Sequence, residues 1–174
     1  MQTAEGLTRR GIVLCQLCGG ALTVHGCYRR HFLDDNGDSH YGWVAQGNCA
    51  ACNAYPSLIP DFLMPHKHFE AEVIEAVIAE SERAREPVFG FRAADESTMR
   101  RWLKQFAERG ARAAGWLGCI LYALYERHIS ALELQNKTLL CQLARLSREI
   151  RAQADGGIIG GVNVILTSHN YGFL

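Results

Sequence analysis

Two short cysteine motifs are the part of this sequence best suited to chemistry. Cys15 and Cys18 are separated by two residues, and Cys49 and Cys52 repeat that spacing thirty residues further along the chain. Two cysteines at this spacing fit on one tight turn, where both thiolates can face a tetrahedral Zn²⁺ ion, and a second such turn completes a four-sulfur structural site. The sequence therefore predicts one structural zinc ion bound by all four cysteines.

The residue after each motif supports this interpretation. Gly19 and Asn53 stand where such a turn favours a residue that tolerates a left-handed backbone. Three alternatives stay open: a redox dithiol, an iron site of the rubredoxin type, or unrelated buried cysteines. A redox dithiol needs one such motif near a βαβ unit, so two matched motifs fit it poorly. Cys27, Cys119 and Cys141 lie outside the motifs, and we interpret the last two as small core residues.

The segment between the motifs has the pattern of a β-hairpin. Asn36-Gly37 is a strong hairpin-turn signal, and the stretches "ALTVHGCYRRHF" and "HYGWVAQGNC" flank it. His25, His31 and His40 are interpreted as strand or hairpin positions rather than metal ligands. A turn, a hairpin and a second turn form a zinc ribbon over residues 12–55. So small a unit lacks a sufficient core, and zinc binding, worth on the order of 10 kcal/mol, is predicted to stabilise it.

A change of pattern separates this ribbon from the rest of the chain. Pro56, Pro60 and Pro65 predict an extended connector over residues 56–67. Beyond it, apolar residues recur with a helical period from Phe69 to a stop before Pro87. The expected fold class is α+β, a small N-terminal zinc-ribbon hairpin followed by an all-α region.

The second helix of this region carries the candidate DNA contacts. In "DESTMRRWLKQFAERG" we expect Asp95 or Ser97 as the N-cap and Gly110 as the stop. Hydroxyls at a helix N-terminus can hold phosphates, and arginines can reach guanine edges. Residues 68–112 are therefore predicted to resemble a helix-turn-helix, although residues 88–96 leave little room for a middle helix. The alternative is an ordinary solvated surface helix. The predicted DNA-binding residues are Ser97, Thr98, Arg100, Arg101 and Lys104.

A family resemblance rests on these same stretches. "CQLCGG", "PSLIPDFLMPHKHFEAEVIEAV" and "DESTMRRWLKQF" resemble a bacterial family of unknown function that joins an N-terminal zinc ribbon to a transposase-like helix-turn-helix region. The resemblance covers roughly residues 12–108, and the four motif cysteines match the zinc positions. Gln16 departs from the proline usual in the first motif. The resemblance implies an association with DNA or with a mobile element.

The C-terminal part is predicted to be helical and then irregular. Within residues 113–154, apolar residues spaced three and four apart form a heptad seam from Ile129 to Ile150, with Asn136 inside it. The seam predicts either packing within one chain or a homodimer through the 129–150 helix. The glycine-rich tail, residues 155–174, is expected to be a loosely held end in which "VNVIL" could form a strand.

Composition narrows the classes of function. Lys plus Arg and Asp plus Glu both number 18, but residues 91–112 carry six basic against three acidic residues, so a polyanion should prefer that segment. The absence of an apolar run of signal-peptide or membrane-spanning length predicts a soluble, cytoplasmic protein with no membrane partner.

No catalytic motif is present, so we expect a non-enzymatic protein without a small-molecule substrate. The sequence favours a zinc-binding, DNA-binding accessory or regulatory protein that is associated with a mobile element and contacts double-stranded DNA. The alternative is a zinc-ribbon adaptor that binds another protein and does not bind DNA directly.

Overall fold

A computed structural model describes residues 15, 17–150 and 157–168 of the chain. Within these residues a small antiparallel sheet precedes a mostly helical region, which confirms the α+β class. Residues 12–14, Gln16, 151–156 and 169–174, which fall in the predicted ribbon, C-terminal helices and tail, lie outside the described residues. The elements are β1 Leu22–Leu33, β2 Ser39–Cys49, β3 Ser57–Leu58, α1 Ala71–Ala84, α2 Glu96–Tyr125, α3 Ala131–Leu134, α4 Leu139–Glu149 and α5 Gly157–Ser168.

The hairpin of β1 and β2 forms where the Asn36-Gly37 signal predicts it. The two strands pair from Leu22 opposite Cys49 to Leu33 opposite Ser39, and β3 adds a short antiparallel edge to β2. Between the strands, the Asp34 carboxylate accepts hydrogen bonds from the backbone N–H groups of Asn36 and Asp38, each 2.9 Å long. The turn is therefore a five-residue loop closed by an aspartate.

The predicted proline-rich connector is packed into the fold. Leu63 is fully buried with Phe32 in the small core of the hairpin, whereas the next residue, Met64, is fully buried in the core of the helices. The Arg30 guanidinium donates hydrogen bonds to the carbonyls of Met64 (2.7 Å) and Lys67 (2.5 Å). The connector thus joins the two cores through adjacent side chains and does not act as a free linker.

The first two helices bury the faces that their periodicity predicts. Val73, Ile74, Val77 and Ile78 of α1 are buried against α2, and Met99, Trp102 and Phe106 of α2 are buried in return. Helix α1 ends at Arg85, which has a left-handed backbone (φ 59°), two residues before Pro87. Residues 85–95, which link α1 to α2, form turns and bends and contain no helix.

The expectation that Gly110 ends the second helix is wrong. Helix α2 continues to Tyr125 and so crosses the 112/113 boundary drawn from the sequence. A Cβ atom built on Gly110 would lie 2.4 Å from Cδ2 of Leu139. This glycine therefore lets the start of α4 approach α2 closely. Close packing offsets the low helix propensity of a glycine in the middle of a helix.

The continuous helix predicted over residues 129–150 is also wrong. Asn136 has φ +64° and lies between the short α3 and α4, so the heptad seam is interrupted at its polar position. Leu143 and Leu146 of the seam are buried in the core of the same chain. The leucines therefore support packing within one chain, and a homodimer through this segment would compete with that packing.

The structure of the glycine-rich tail differs from the predicted loosely held end. Residues 157–168 form α5, whose Ile159, Val162 and Leu166 are fully buried, so "VNVIL" is helical rather than a strand. The backbone N–H of Ile159 donates a 3.0 Å hydrogen bond to Glu75 of α1, which satisfies part of the new helix N-terminus. Burial chiefly raises the pKa of this Glu75 carboxyl, and the α5 N–H groups partly oppose that shift.

Among the described residues, none of the helices combines the length and apolar character required to cross a membrane.

Gly160 provides a test of this C-terminal packing. A Cβ atom at Gly160 would lie 2.3 Å from the backbone oxygen of Asp61, so we expect Gly160→Ala to lower the free energy of unfolding by roughly 1–3 kcal/mol in urea denaturation. The matched control is Gly115→Ala in α2, where a Cβ meets nothing within 4 Å; it should raise stability by about 0.5–1 kcal/mol. Equal stability of the two variants would contradict the close contact.

Candidate metal centre

The structure brings the four motif cysteines into one cluster. Their sulfur atoms all lie within 4.8 Å of one another, with Cys15 Sγ 3.6 Å from Cys52 Sγ and Cys18 Sγ 3.5 Å from Cys49 Sγ. A tetrahedral ion with metal–sulfur bonds of about 2.3 Å requires sulfur–sulfur edges of about 3.8 Å. A disulfide would require about 2.05 Å. The spacing fits one four-sulfur metal site, and it rules out the alternative of unrelated buried cysteines.

Each pair of cysteines lies on a turn of the same design. In both turns the N–H of the first cysteine donates to the carbonyl five residues later, and the N–H four residues later donates back to the first cysteine's carbonyl, at 2.7–2.9 Å. Gly19 (φ +73°) and Asn53 (φ +58°) have the left-handed backbone that the sequence predicts. The two turns therefore present their thiols from matching positions at the open end of the hairpin.

Contacts among the crowded thiols shift their pKa values in different directions. The pKa of Cys49 is lowered to about 7, chiefly by the backbone N–H of Cys52 and further by the Cys18 thiol. The Ala54 N–H likewise lowers the pKa of Cys52. Hydrogen bonds with Cys18 and the other sulfurs, together with burial, outweigh it and raise the pKa of Cys52 to about 12. The Cys49 thiol therefore loses its proton more readily than the Cys52 thiol. A divalent cation would remove that difference, since metal binding displaces thiol protons.

Gly20 is a residue of the site that sequence reasoning misses. A Cβ atom at this position would lie 3.0 Å from Cβ of Ala51, 3.3 Å from Sγ of Cys49 and 3.4 Å from Sγ of Cys18. The glycine therefore permits the two turns to meet around the sulfurs. The available signal is the second glycine of "CQLCGG", which the turn conformation alone does not require.

The remaining cysteines and the three histidines of the hairpin do not join the cluster. Cys27, Cys119 and Cys141 are exposed, so the interpretation of the last two as core residues is wrong. Leu117 and Ile120 occupy the buried face of α2 on either side of Cys119, which turns the thiol outward. The histidines predicted as strand positions are indeed in strands, with His25 and His31 in β1 and His40 in β2.

The hydroxyls predicted to hold phosphates have an intramolecular partner. Asp95 is the N-cap of α2 and accepts hydrogen bonds from Ser97 Oγ (2.5 Å), Thr98 Oγ1 (2.9 Å) and the Thr98 backbone N–H (2.9 Å). These bonds, first that from the Ser97 hydroxyl, lower the pKa of Asp95 to about 2. An ionised carboxylate thus occupies the helix N-terminus, where the sequence suggests a phosphate.

The predicted basic residues lie on the exposed side of α2. Arg100, Arg101 and Lys104 are all exposed. Arg100 pairs with Glu96 at 2.5 Å and Lys104 with Glu108 at 3.8 Å. The structure therefore groups the three cations on one surface, with two of them in short-range ion pairs.

Comparison with known proteins yields one match. A family model described as a domain of unknown function (DUF6431) matches residues 15–102, which include both cysteine motifs, the hairpin, α1 and the first turns of α2. No curated protein and no solved structure matches the chain.

Metal analysis tests the cluster directly. We expect one zinc per chain in the purified protein, and we expect Cys15→Ser or Cys49→Ser to abolish binding because a three-sulfur site lacks the fourth ligand. Cys119→Ser is the matched control and should keep full metal content, since this thiol is exposed and outside the cluster. Elemental analysis that found iron, no metal, or metal loss in Cys119→Ser would contradict the zinc assignment.

Gly20→Val tests the contact between the two turns. The added side chain would press on Cys18, Cys49 and Ala51, so we expect zinc affinity to fall about 10- to 100-fold in a chelator competition, although every ligand is retained. Gly90→Val, where a Cβ meets nothing within 4 Å, should bind zinc like the wild type. Unchanged affinity in Gly20→Val would show that the turns can separate without loss of the site.

Proposed function

We propose that this chain, which belongs to the DUF6431 family, a domain of unknown function, is a zinc-binding accessory or regulatory protein that binds duplex DNA. The zinc is structural in this proposal. All four sulfurs are used within one closed cluster, and the fourth position that a catalytic zinc keeps open for water is filled by a cysteine.

The separation of faces on α2 supports DNA binding. Met99, Trp102 and Phe106 are buried, whereas Arg100, Arg101 and Lys104 face solvent along the opposite side. Arg101 and Lys104 therefore lie outside the core, and the guanidinium of Arg100 lies over the ring of Phe89, 4.4 Å from its centre. A helix presented in this way fits the major groove, where arginine reads guanine and lysine contacts phosphate.

The observation that carries the proposal is the crowding of cations beside this helix. Lys67, from the segment before α1, donates a 2.5 Å hydrogen bond to Gln105 of α2 and lies near Arg101 and Arg109. Burial chiefly, and then the charges of these two arginines, lower the pKa of Lys67. Like charges held together repel one another, and a phosphate backbone placed against them would relieve that repulsion.

Because the N-terminus of α2 is capped, we propose that the DNA contact lies along the side of the helix. Since Asp95 holds the hydroxyls of Ser97 and Thr98, phosphates approaching the first turn would meet a carboxylate. We therefore centre the interface on Arg101, Lys104 and Lys67. The association with a mobile element rests only on the resemblance of this region to transposase-like helix-turn-helix sequences.

A protein-interaction adaptor is the second candidate, and exposed apolar side chains favour it. Tyr122, Leu124 and Tyr125 at the end of α2 and Leu132 in α3 are large apolar side chains that are each exposed by more than two fifths. Large apolar side chains left in solvent are common where another protein binds. In this alternative the basic face of α2 is solvated and contacts no DNA.

Alanine substitutions on α2 decide between the two candidates. We expect the Arg100→Ala, Arg101→Ala, Lys104→Ala triple variant to lose duplex binding, each base-reading arginine contributing roughly 1–3 kcal/mol. Lys104→Ala alone should weaken binding to all sequences alike and reduce the slope of log affinity against log salt by about one. The measurement is fluorescence anisotropy with random duplex DNA at several salt concentrations.

Arg83→Ala is the matched control, because Arg83 is an exposed helical arginine paired with Glu80 in the acidic α1. It should bind duplex DNA like the wild type, and all variants should keep their zinc. If the triple variant binds duplex DNA as well as the wild type does, α2 does not contact DNA and the adaptor becomes the better account.

A further inference from the structure

The outer side of the hairpin carries two exposed aromatic rings beside two basic side chains. Arg29 lies directly opposite Trp43, and His31 directly opposite Tyr41, so all four side chains project from the same face of the sheet. We call this set of four residues the hairpin face. Tyr41 is 59% exposed and Trp43 48% exposed, which is unusual for rings of this size.

The hairpin face is ordered by its own contacts. The Arg29 guanidinium lies 4.3 Å from the centre of the Tyr41 ring, and the His31 ring meets Tyr41 edge to face at 5.7 Å. Nε2 of His31 also lies within hydrogen-bond distance of Ser39 Oγ, at 2.8 Å. Arg29 and His31 therefore hold the Tyr41 ring in place, and both rings stay largely exposed.

The core does not account for these rings. The opposite face of the same strands carries Phe32 and Val44, which are buried against Leu63. Among the described residues, Tyr41 and Trp43 belong to neither hydrophobic cluster. The two large rings on the solvent side therefore contribute to neither hydrophobic core.

The charge of the two strands favours an anionic ligand. Neither β1 nor β2 contains an acidic residue, whereas both contain arginine or histidine. The acids of the hairpin, Asp34, Asp35 and Asp38, are confined to its turn, and Asp34 is paired there with His40 at 2.8 Å. On the other side the His31 ring is 6.4 Å from that of His68, which follows Lys67, so the basic surface continues toward α2.

We propose that the hairpin face binds single-stranded DNA, with bases stacked on Tyr41 and Trp43 and a phosphate held by Arg29. The two rings stand two residues apart on one strand, about 7 Å, so each can take a separate base. Stacking on a side chain requires bases that are not paired in a duplex, and aromatic rings interleaved with cations are the usual means of binding single strands. This site is separate from the duplex contact proposed for α2. The present inference depends on that proposed function in one respect, the choice of DNA rather than RNA as the ligand.

Ring removal is the sharpest test. With a fluorescein-labelled oligothymidylate of about 15 nucleotides and the zinc-loaded full chain, Trp43→Ala or Tyr41→Ala should weaken binding about 5- to 150-fold in fluorescence anisotropy. Trp43→Phe and Tyr41→Phe keep a ring for stacking and should retain most of the affinity. Arg29→Gln should reduce the salt slope by about 0.7, the value for one phosphate contact on a single strand.

Tyr122→Ala removes an equally exposed ring from α2 and should leave single-strand binding unchanged. Zinc content and melting temperature should match the wild type in every variant, since the rings lie outside the core. The triple alanine variant of α2 should lose duplex binding far more than oligothymidylate binding, so the two proposals can fail separately. Three results would overturn this inference. They are wild-type affinity in the Trp43→Ala, Tyr41→Ala double variant, a loss of oligothymidylate affinity in Tyr122→Ala as large as that in Trp43→Ala, and a tenfold preference for an RNA strand of the same sequence.

Discussion

The fold of the N-terminal half depends on one constraint, the meeting of four cysteine sulfurs from the two ends of residues 15–52. Among the described residues, the hydrophobic cluster beside the hairpin consists of Phe32, Val44 and Leu63, with Ile59 and Phe62 packed against it, which is too small a core to hold two strands of eleven and twelve residues. The four-cysteine cluster lies at the open end of this hairpin, where Leu22 pairs with Cys49, and the Asp34 turn closes the other end. Because a slip of one residue would exchange the two faces of each strand, these two ends also determine which side chains face outward.

Local patterns could be predicted from the sequence because each depends on neighbours within a few residues. The cysteine turns, the hairpin around Asn36-Gly37 and the buried face of α1 all follow from short spacings. Gly110 and Gly160 could not be assigned in this way, since the same residue either breaks a helix or permits close contact. Their actual roles depend on Leu139 and Asp61, which are distant in sequence. Burial of α5 then overrides the weak helix propensity of its glycines.

The chain has a formal net charge of zero, yet its charges are divided between surfaces. Glu70 lies near Glu72 and Asp34, and burial, followed by these neighbouring charges, raises the pKa of its carboxyl. Lys67 occupies the corresponding position among the cations beside α2. A neutral protein built in this way orients an approaching polyanion through its local field, even though its overall charge exerts no attraction.

Helix α2 has thirty residues and is therefore about 45 Å long. The match to the family model stops at Trp102, a fully buried residue in the second turn of this helix. Leu117, Leu143 and Ile159 lie beyond that point and contribute to the same core as Val73 and Ile74 of the matched part. The limit of recognisable sequence therefore falls inside one hydrophobic core, and a fragment cut at Trp102 would retain both cysteine turns but lose the part of the core that α4, α5 and the rest of α2 supply to its first helix.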